Sequence, residues 1–167
     1  SQISVTCSGD NDGSAYVAVS GGNGGYNYLW SDGQVTDTAN NLVAGTYLLN
    51  IKDQKLCSLD TSVTVLEPSP LLVDTTSQDS VSCNGSSNGS AYVGVIGGTG
   101  TYNFTWTDPL GINLAQDSST AINLSAGIYT ITVRDQLLCT IDTNVTVLEP
   151  DTFVVDTSNV ISPYCTS

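Results

Sequence analysis

Gly13-Ser14-Ala15-Tyr16-Val17, a Gly21-Gly22 break, Tyr26-Asn27 and Trp30 return as Gly89-Ser90-Ala91-Tyr92-Val93, Gly97-Gly98, Tyr102-Asn103 and Trp106. Each pair of equivalents has one offset, 83 − 7 = 76, which is also the offset of Cys7 and Cys83 just upstream. Within each copy the pattern has period two. Ala15, Val17 and Val19 share one face of a strand, the glycines break it, and Tyr26, Tyr28 and Trp30 share one face of the next. The second copy keeps the inward set as Tyr102, Phe104 and Trp106. Large aromatics at alternate positions are core positions of a sheet protein, and a stretch spelled twice calls for tandem domains.

The rest of each copy is equally regular. Asn41-Leu42-Val43-Ala44-Gly45-Thr46-Tyr47 returns as Asn123-Leu124-Ser125-Ala126-Gly127-Ile128-Tyr129, now offset by 127 − 45 = 82. The difference of six residues falls between the Trp strand and this segment, so residues 31–40 and 107–122 read as a surface loop that tolerates insertion. Tyr47, Leu49 and Ile51, or Tyr129, Ile131 and Val133, then face inward; Asp53-Gln54 and Asp135-Gln136 turn the chain. A last strand, with Val63 and Val65 or Val145 and Val147 inward, stops at Glu67-Pro68 or Glu149-Pro150. Between residues 41–68 and 123–150, 17 of 28 positions are identical, including turn residues that a shared core would not demand.

Proline cannot continue a central strand, so Pro68 and Pro150 mark boundaries. Leu71-Leu72-Val73-Asp74-Thr75 and Phe153-Val154-Val155-Asp156-Thr157 read as first strands of the following repeat. Residues 1–67 are then a repeat lacking its own first strand, 68–149 a complete one, and 150–167 the start of a third. The chain opens inside a repeat, as a segment of a longer protein would. Short alternating strands with regular turn signals predict an all-β protein of tandem immunoglobulin-like antiparallel β-sandwich domains. Ala-Gly-Xaa-Tyr ahead of an alternating strand resembles the tyrosine corner of such sandwiches, with ordinary core residues the alternative for Tyr47 and Tyr129.

Sixteen acidic residues against three basic ones (Lys52, Lys55, Arg134) give a formal charge of −13, which repels a phosphate backbone and an anionic membrane. No apolar run reaches the roughly 18 residues of a membrane helix, so no membrane insertion is expected. Only 11% of residues are charged, and Ser, Thr, Asn and Gly fill the polar positions, a composition common in secreted β-proteins.

The order Cys-Xaa-Gly, Gly-Ser-Ala, Gly-Gly-Xaa-Gly-Xaa-Tyr, Trp, Leu-Xaa-Ala-Gly-Xaa-Tyr, Asp, Cys resembles the SprB repeat of very long cell-surface adhesins and filaments of gliding bacteria. The resemblance runs over nearly the whole chain, twice. It implies export by a type IX route, an extracellular location on the outer cell surface, and a role in adhesion or gliding motility. It also implies O-glycosylation at Asp followed by Ser or Thr and then a small or apolar residue, which Thr38 in Asp37-Thr38-Ala39, Thr75 in Asp74-Thr75-Thr76 and Ser80 in Asp79-Ser80-Val81 fit. The Asn-Xaa-Ser/Thr sequons at Asn84, Asn88, Asn103, Asn123 and Asn144 are expected to stay bare.

Five cysteines in a chain of secreted composition call for pairing. One precedes the first alternating strand of each copy and one follows the Tyr strand. The expected bonds are therefore Cys7–Cys57 and Cys83–Cys139, with Cys165 (165 − 83 = 82) the first cysteine of a third repeat, unpaired by truncation. Free buried thiols are the alternative. Zinc is not expected, because there is no Cys-Xaa-Xaa-Cys and no His.

Other constellations carry little chemistry. Asp10-Asn11-Asp12-Gly13 resembles the start of a calcium loop, but its counterpart Ser86-Ser87-Asn88-Gly89 has lost both carboxylates and reads as a turn. Without His there is no general base for acyl transfer, and no carboxylate pair sits in an apolar surround. Alternation puts Trp30 and Trp106 inside rather than on a sugar platform, and no helix follows the Gly-rich turns to make them phosphate loops. No catalytic residue, metal or cofactor is expected. What remains is a structural stalk segment, a direct carbohydrate- or surface-binding module using the unequal loops, or an accessory repeat on an exported enzyme. The expected partners are neighbouring repeats of the same chain, surface polysaccharide and other adhesin chains, with no nucleic acid. The linker Glu67–Ser69 is too short for free rotation, which predicts an end-to-end arrangement of restricted freedom.

Overall fold

A computed structural model describes residues 1–155, and every regular element among them is a β-strand. The first half contains β1 (Gln2–Ile3), β2 (Gly13–Tyr16), β3 (Asn27–Trp30), β4 (Thr38–Leu42), β5 (Gly45–Lys52) and β6 (Ser58–Val65). The second contains β7 (Leu72–Asp79), β8 (Gly89–Ile96), β9 (Asn103–Thr107), β10 (Thr120–Leu124), β11 (Gly127–Arg134) and β12 (Thr140–Val147). No helix of the described residues is long and apolar enough to cross a membrane.

Each half is a pair of three-stranded antiparallel sheets. Their orders are β1-β2-β4 with β3-β5-β6, and β7-β8-β10 with β9-β11-β12. Alternation places the inward residues in two separate cores, one around Ala15, Trp30, Leu49, Ile51 and Val65, the other around Ala91, Trp106, Ile131, Val133 and Val147. The outward partners stay in water: Leu29, beside buried Trp30, is exposed. Tyr47 donates from its hydroxyl to the Val43 carbonyl and Tyr129 to that of Ser125, both at 3.1 Å and both four residues upstream. That is the tyrosine corner, at the strand where an immunoglobulin-like sandwich carries it. With the buried Trp on the third strand of each half, the fold is a tandem of immunoglobulin-like β-sandwiches.

The Trp rings have a second task. Trp30 Nε1 donates to the Thr36 carbonyl (2.9 Å) and Trp106 Nε1 to that of Ser118 (2.8 Å), so each indole pins the long connection that follows it. In the first sandwich this connection climbs back along the body: it leaves Trp30 and reaches Asp37, whose carbonyl accepts from Val17 N–H at the far end of β2. The six extra residues of the second connection form a turn in which Asp108 Oδ1 accepts from Leu110 and Ile112 N–H (2.9 and 2.8 Å). This leaves Leu110 and Ile112 exposed and tucks Leu114 against the core.

Two expectations change. The first sandwich does not lack its first strand altogether, because Gln2 and Ile3 pair with Ala15 and Ser14 as Gln78 and Asp79 pair with Ala91 and Ser90. Phe153–Val155, expected to open a further strand, are exposed and outside any strand. The remainder of that segment and Cys165 lie outside the described residues.

Candidate functional site: the stapled joint

The site that these strands build lies between the sandwiches. Strand β6 carries the chain down the first body to Glu67, whose Oε2 accepts from Ser8 Oγ and Gly9 N–H, both at 3.0 Å. The turn after Cys7 is thereby fixed beside the exit of β6. Asp10 and Asp12 complete it: Asp10 Oδ2 accepts from Cys7 N–H (3.2 Å), while Asp12 accepts from Thr6 N–H (2.9 Å) and the Thr6 hydroxyl. The Thr6 hydroxyl, then its N–H, hold the Asp12 carboxyl below its ordinary value. The carboxylates of the calcium-like loop are thus spent on backbone and hydroxyl donors. In the second copy Asn88 Oδ1 takes Ser82 N–H (3.0 Å) in the same way without a charge. Among the described residues no cluster of three or more His, Cys, Asp or Glu side chains could hold a metal.

The opposing face belongs to the second sandwich. Asp135, fully buried, accepts from Leu137 and Cys139 N–H (both 2.9 Å) and from Thr99 N–H (2.8 Å). One carboxylate therefore ties the turn between β11 and β12 to the Gly97–Gly100 turn. The linker passes over both, with the Ser69 carbonyl accepting from Gly98 N–H (3.0 Å). The Pro70 carbonyl lies 1.9 Å from where a Cβ on Gly97 would stand, and Leu71 packs above Gly98. Only glycine fits under this linker.

Across the joint Cys7 and Cys139 form a disulfide, with Cα atoms 5.7 Å apart and 132 residues of separation. The cysteines, Ser8, Asp10, Pro70 and Leu138 line the cleft that remains. Cys57 and Cys83 are exposed free thiols. The expected within-repeat pairs Cys7–Cys57 and Cys83–Cys139 are therefore corrected. Cys57 stands where β6 begins and Cys7 beside where it ends, and an eight-residue strand spans roughly 26 Å. A disulfide tolerates Cα atoms only up to about 7 Å apart. The connection pinned by Trp30 adds a passage along the body, so the chain reaches Cys57 at the end opposite Cys7.

The buried Asp was the functional residue that sequence reading passed over as a turn former. Its counterpart Asp53, 5% exposed, accepts from Asn23 Nδ2 (2.8 Å) and from Asn23, Lys55 and Cys57 N–H. The Asn23 amide foremost, then these backbone N–H groups, hold its carboxyl below the ordinary value against the upward push of burial. The signal was present in the sequence, since Asp-Xaa-Xaa-Xaa-Cys recurs unchanged in both copies.

The residues expected to carry sugars sit on strands more than in loops. Thr38 opens β4 half-buried and donates to Asp37 Oδ1 (3.0 Å), Thr75 is exposed within β7, and Ser80 is exposed just after it.

The SprB repeat family model matches the chain twice, over residues 2–35 and 75–111. No curated protein matches it. Among solved structures, the three N-terminal domains of the bacteriophage RB49 highly immunogenic outer capsid protein align at 12% identity and TM-score 0.48. They cover 86% of this chain, which spans 56% of theirs. An amphioxus IgVJ-C2 molecule aligns at 15% identity and TM-score 0.39, over 83% of this chain and 97% of its own. The four N-terminal Ig domains of Dscam1 isoform 9.44 align at 10% identity and TM-score 0.37, over 75% of this chain and 36% of theirs. The two matches to the SprB repeat fall one in each sandwich.

Proposed function

We propose that the chain is a repeat segment of an exported cell-surface protein and acts as a tension-carrying stalk in adhesion or gliding. Its divisions are residues 1–67, 68–149 and 150–167. The observation that carries this reading is the Cys7–Cys139 bond, which joins the exit end of one sandwich to the entry end of the next. Pulled from its ends, a chain so bonded passes force from Cys7 to Cys139 directly, and the sandwich residues between them bear none of it. The sixteen acidic residues keep neighbouring stalks apart by like-charge repulsion.

Single-molecule stretching of the oxidised protein between Ser1 and Ser167 tests this. The oxidised chain should release only the residues outside the disulfide loop. Reduction should add about 45 nm of contour, the loop taken at ~3.4 Å per residue. Equal contour lengths in the two states would refute the stalk.

A second reading has one observation in its favour: the insertion present only in the second sandwich holds Leu110 (83% exposed) and Ile112 (59% exposed) out in water. A binding module for polysaccharide or protein would use that turn. Retention of the protein on a glycan array, lost on Leu110→Ser with Ile112→Ser, would favour it over the stalk. O-glycosylation at Thr38, Thr75 or Ser80 belongs to the same reading of an exported protein, and intact mass of material from the native host tests it.

A further inference from the structure

We propose that the outer face of the β7-β8-β10 sheet binds a neutral polysaccharide, with the ring of Tyr92 as the platform on which a sugar stacks. The face runs along the flank of the second sandwich rather than across its end, so the proposal goes beyond the stalk reading and does not depend on it.

The platform starts from a glycine inside a strand. Gly94 pairs with Thr75 within the eight-residue β8, and its backbone has none of the positive φ that the turn glycines adopt. Glycine at such a place weakens a strand, and where the backbone does not call for it, it marks the close approach of other atoms. Here those atoms belong to side chains of the outer face. Strand β7 carries one extra residue beside it, Asp74, and a Cβ on Gly94 would stand 2.7 Å from the Thr75 methyl, 3.3 Å from Tyr92 Oη and 3.6 Å from Tyr92 Cε1. The phenol ring of Tyr92 therefore lies down along its own strand, over the bare backbone two residues on, as aromatic rings do beside strand glycines. It stays 38% exposed, seated on one side and open to water on the other. The first copy has Ala18 in the place of Gly94, so its Tyr16 lacks this seat.

The surroundings of the ring decide what it takes. Ser77 of β7 and Thr120 of β10 stand directly opposite Tyr92 on either side, and in the next row Ser90 Oγ donates to Asp79 Oδ2 (2.8 Å). Hydroxyls that both donate and accept, beside a carboxylate with acceptor sites to spare, match the hydroxyls of a sugar. Exposed apolar side chains flank this set, Ile96 and Leu72 at one end and Ile122 at the other. From Ile96 to Ser90 the face is about 20 Å long, room for several sugar rings in a line.

A pyranose presents C–H groups on its faces and hydroxyls around its rim. The C–H face carries partial positive charge and is poorly hydrated, so it stacks on the negative face of an aromatic ring while polar side chains take the rim. Charge then selects among sugars. This face carries Asp79 with Asp74 beside it, and the three basic residues stand elsewhere: Lys52 on β5, Lys55 in the turn that follows, Arg134 on β11. A sulfated or uronate-rich chain is repelled here, and a neutral one is not. Hydroxyls also stand among the apolar groups, in contrast to the contiguous apolar centre through which proteins associate.

Native electrophoresis of the full chain through gels carrying hydroxyethylcellulose, xyloglucan, galactomannan or alginate tests this. The wild type should be retarded by at least one of the neutral polysaccharides and not by alginate. Tyr92→Phe keeps the ring and should keep the retardation. Tyr92→Ala should weaken binding about tenfold or more, with a melting temperature near that of the wild type. If Tyr92→Ala melts early, Tyr92→Leu, apolar but without a flat ring, takes its place with the same expectation. No retardation in any neutral gel, which would leave the face to a protein partner, would overturn the proposal. So would retardation by alginate alone, or retardation that survives loss of the ring but not Leu110→Ser with Ile112→Ser, which would move the site to the 110–112 turn. Each of these variants leaves Cys7 and Cys139 in place, so the contour test of the stalk succeeds or fails separately.

Discussion

The two sandwiches share one core plan and differ in what covers their upper ends. The second carries an eight-residue β7 beside an eight-residue β8, with the linker sealed over Gly97, Gly98 and Asp135. The first has two residues of that strand, a β2 of four residues, and open clefts where the linker would lie. Val93 is fully buried and its equivalent Val17 only half so. The sequence between Gly13 and Ser20 is as strand-like as that between Gly89 and Ile96. What shortens β2 is the lack of a partner, since β-propensity expresses packing against neighbours more than any intrinsic backbone preference.

The largest effect expected from this contrast is at a pair of glycines with the same backbone conformation. Gly21 and Gly97 have φ of 86° and 74°, so Ala is strained at either. At Gly21 the new Cβ meets nothing, while at Gly97 it meets the Pro70 carbonyl. Gly21→Ala should cost about 1 kcal/mol from strain alone. Gly97→Ala should cost roughly 3 kcal/mol through overpacking or displacement of the linker. Chemical denaturation of the two variants reads the difference, and equal losses would mean that the linker does not seal the second sandwich.

Next in size is completion of the first sandwich. Ser1 is the equivalent of Ser77, so Pro-Leu-Leu-Val-Asp-Thr-Thr placed ahead of it restores the sequence that β7 has before that residue. Burying the exposed part of Val17 and Val19 against new neighbours should add about 2 kcal/mol to the first sandwich and nothing to the second. In a domain of this size that is a rise of roughly 10 °C in its melting transition. Calorimetry showing no change would mean that the cleft beside Val17 is not a strand position.

How much of this was legible in the sequence depends on what kind of fact is asked for. The inward residues were readable because period-two alternation is a local property, and Trp30, Leu49, Ile51, Trp106, Ile131 and Val133 are all buried where alternation places them. The tyrosine corner was readable for the same reason. The cysteine pairing was not, because it depends on which end of a sandwich each residue occupies. That turned on whether residues 31–37 form a loop at one end or a passage along the body, and the deciding interaction is a hydrogen bond from an indole already assigned to the core. Spacing carries no trace of such a bond. The roles of Asp53 and Asp135 were half legible: their recurrence four residues before Cys was visible, but burial of a carboxylate goes against the usual preference and is accepted here because backbone N–H groups surround it.

The smallest effect separates the sandwiches by acid. The lower turn of the first uses the Asp12 carboxylate where the second uses the Asn88 amide, and Asp12 and Asp53 both have carboxyl values lowered in the folded state. A group whose folded value is depressed binds protons more readily when unfolded. Its contribution is therefore complete above the ordinary carboxylate value of about 3.9 and is lost as pH falls through the lower folded value. The first sandwich should melt progressively earlier below about pH 4 through these two groups. Asp12→Asn gives its lower turn the chemistry of Asn88, and should remove the Asp12 part of that dependence while leaving the melting temperature at pH 7 nearly unchanged. Thermal melts of wild type and Asp12→Asn from pH 7 to pH 2.5 decide it: the two curves should coincide near pH 7 and separate at acid pH, the wild type falling further. Parallel curves would mean that protonation of Asp12 does not weaken the turn that positions Cys7.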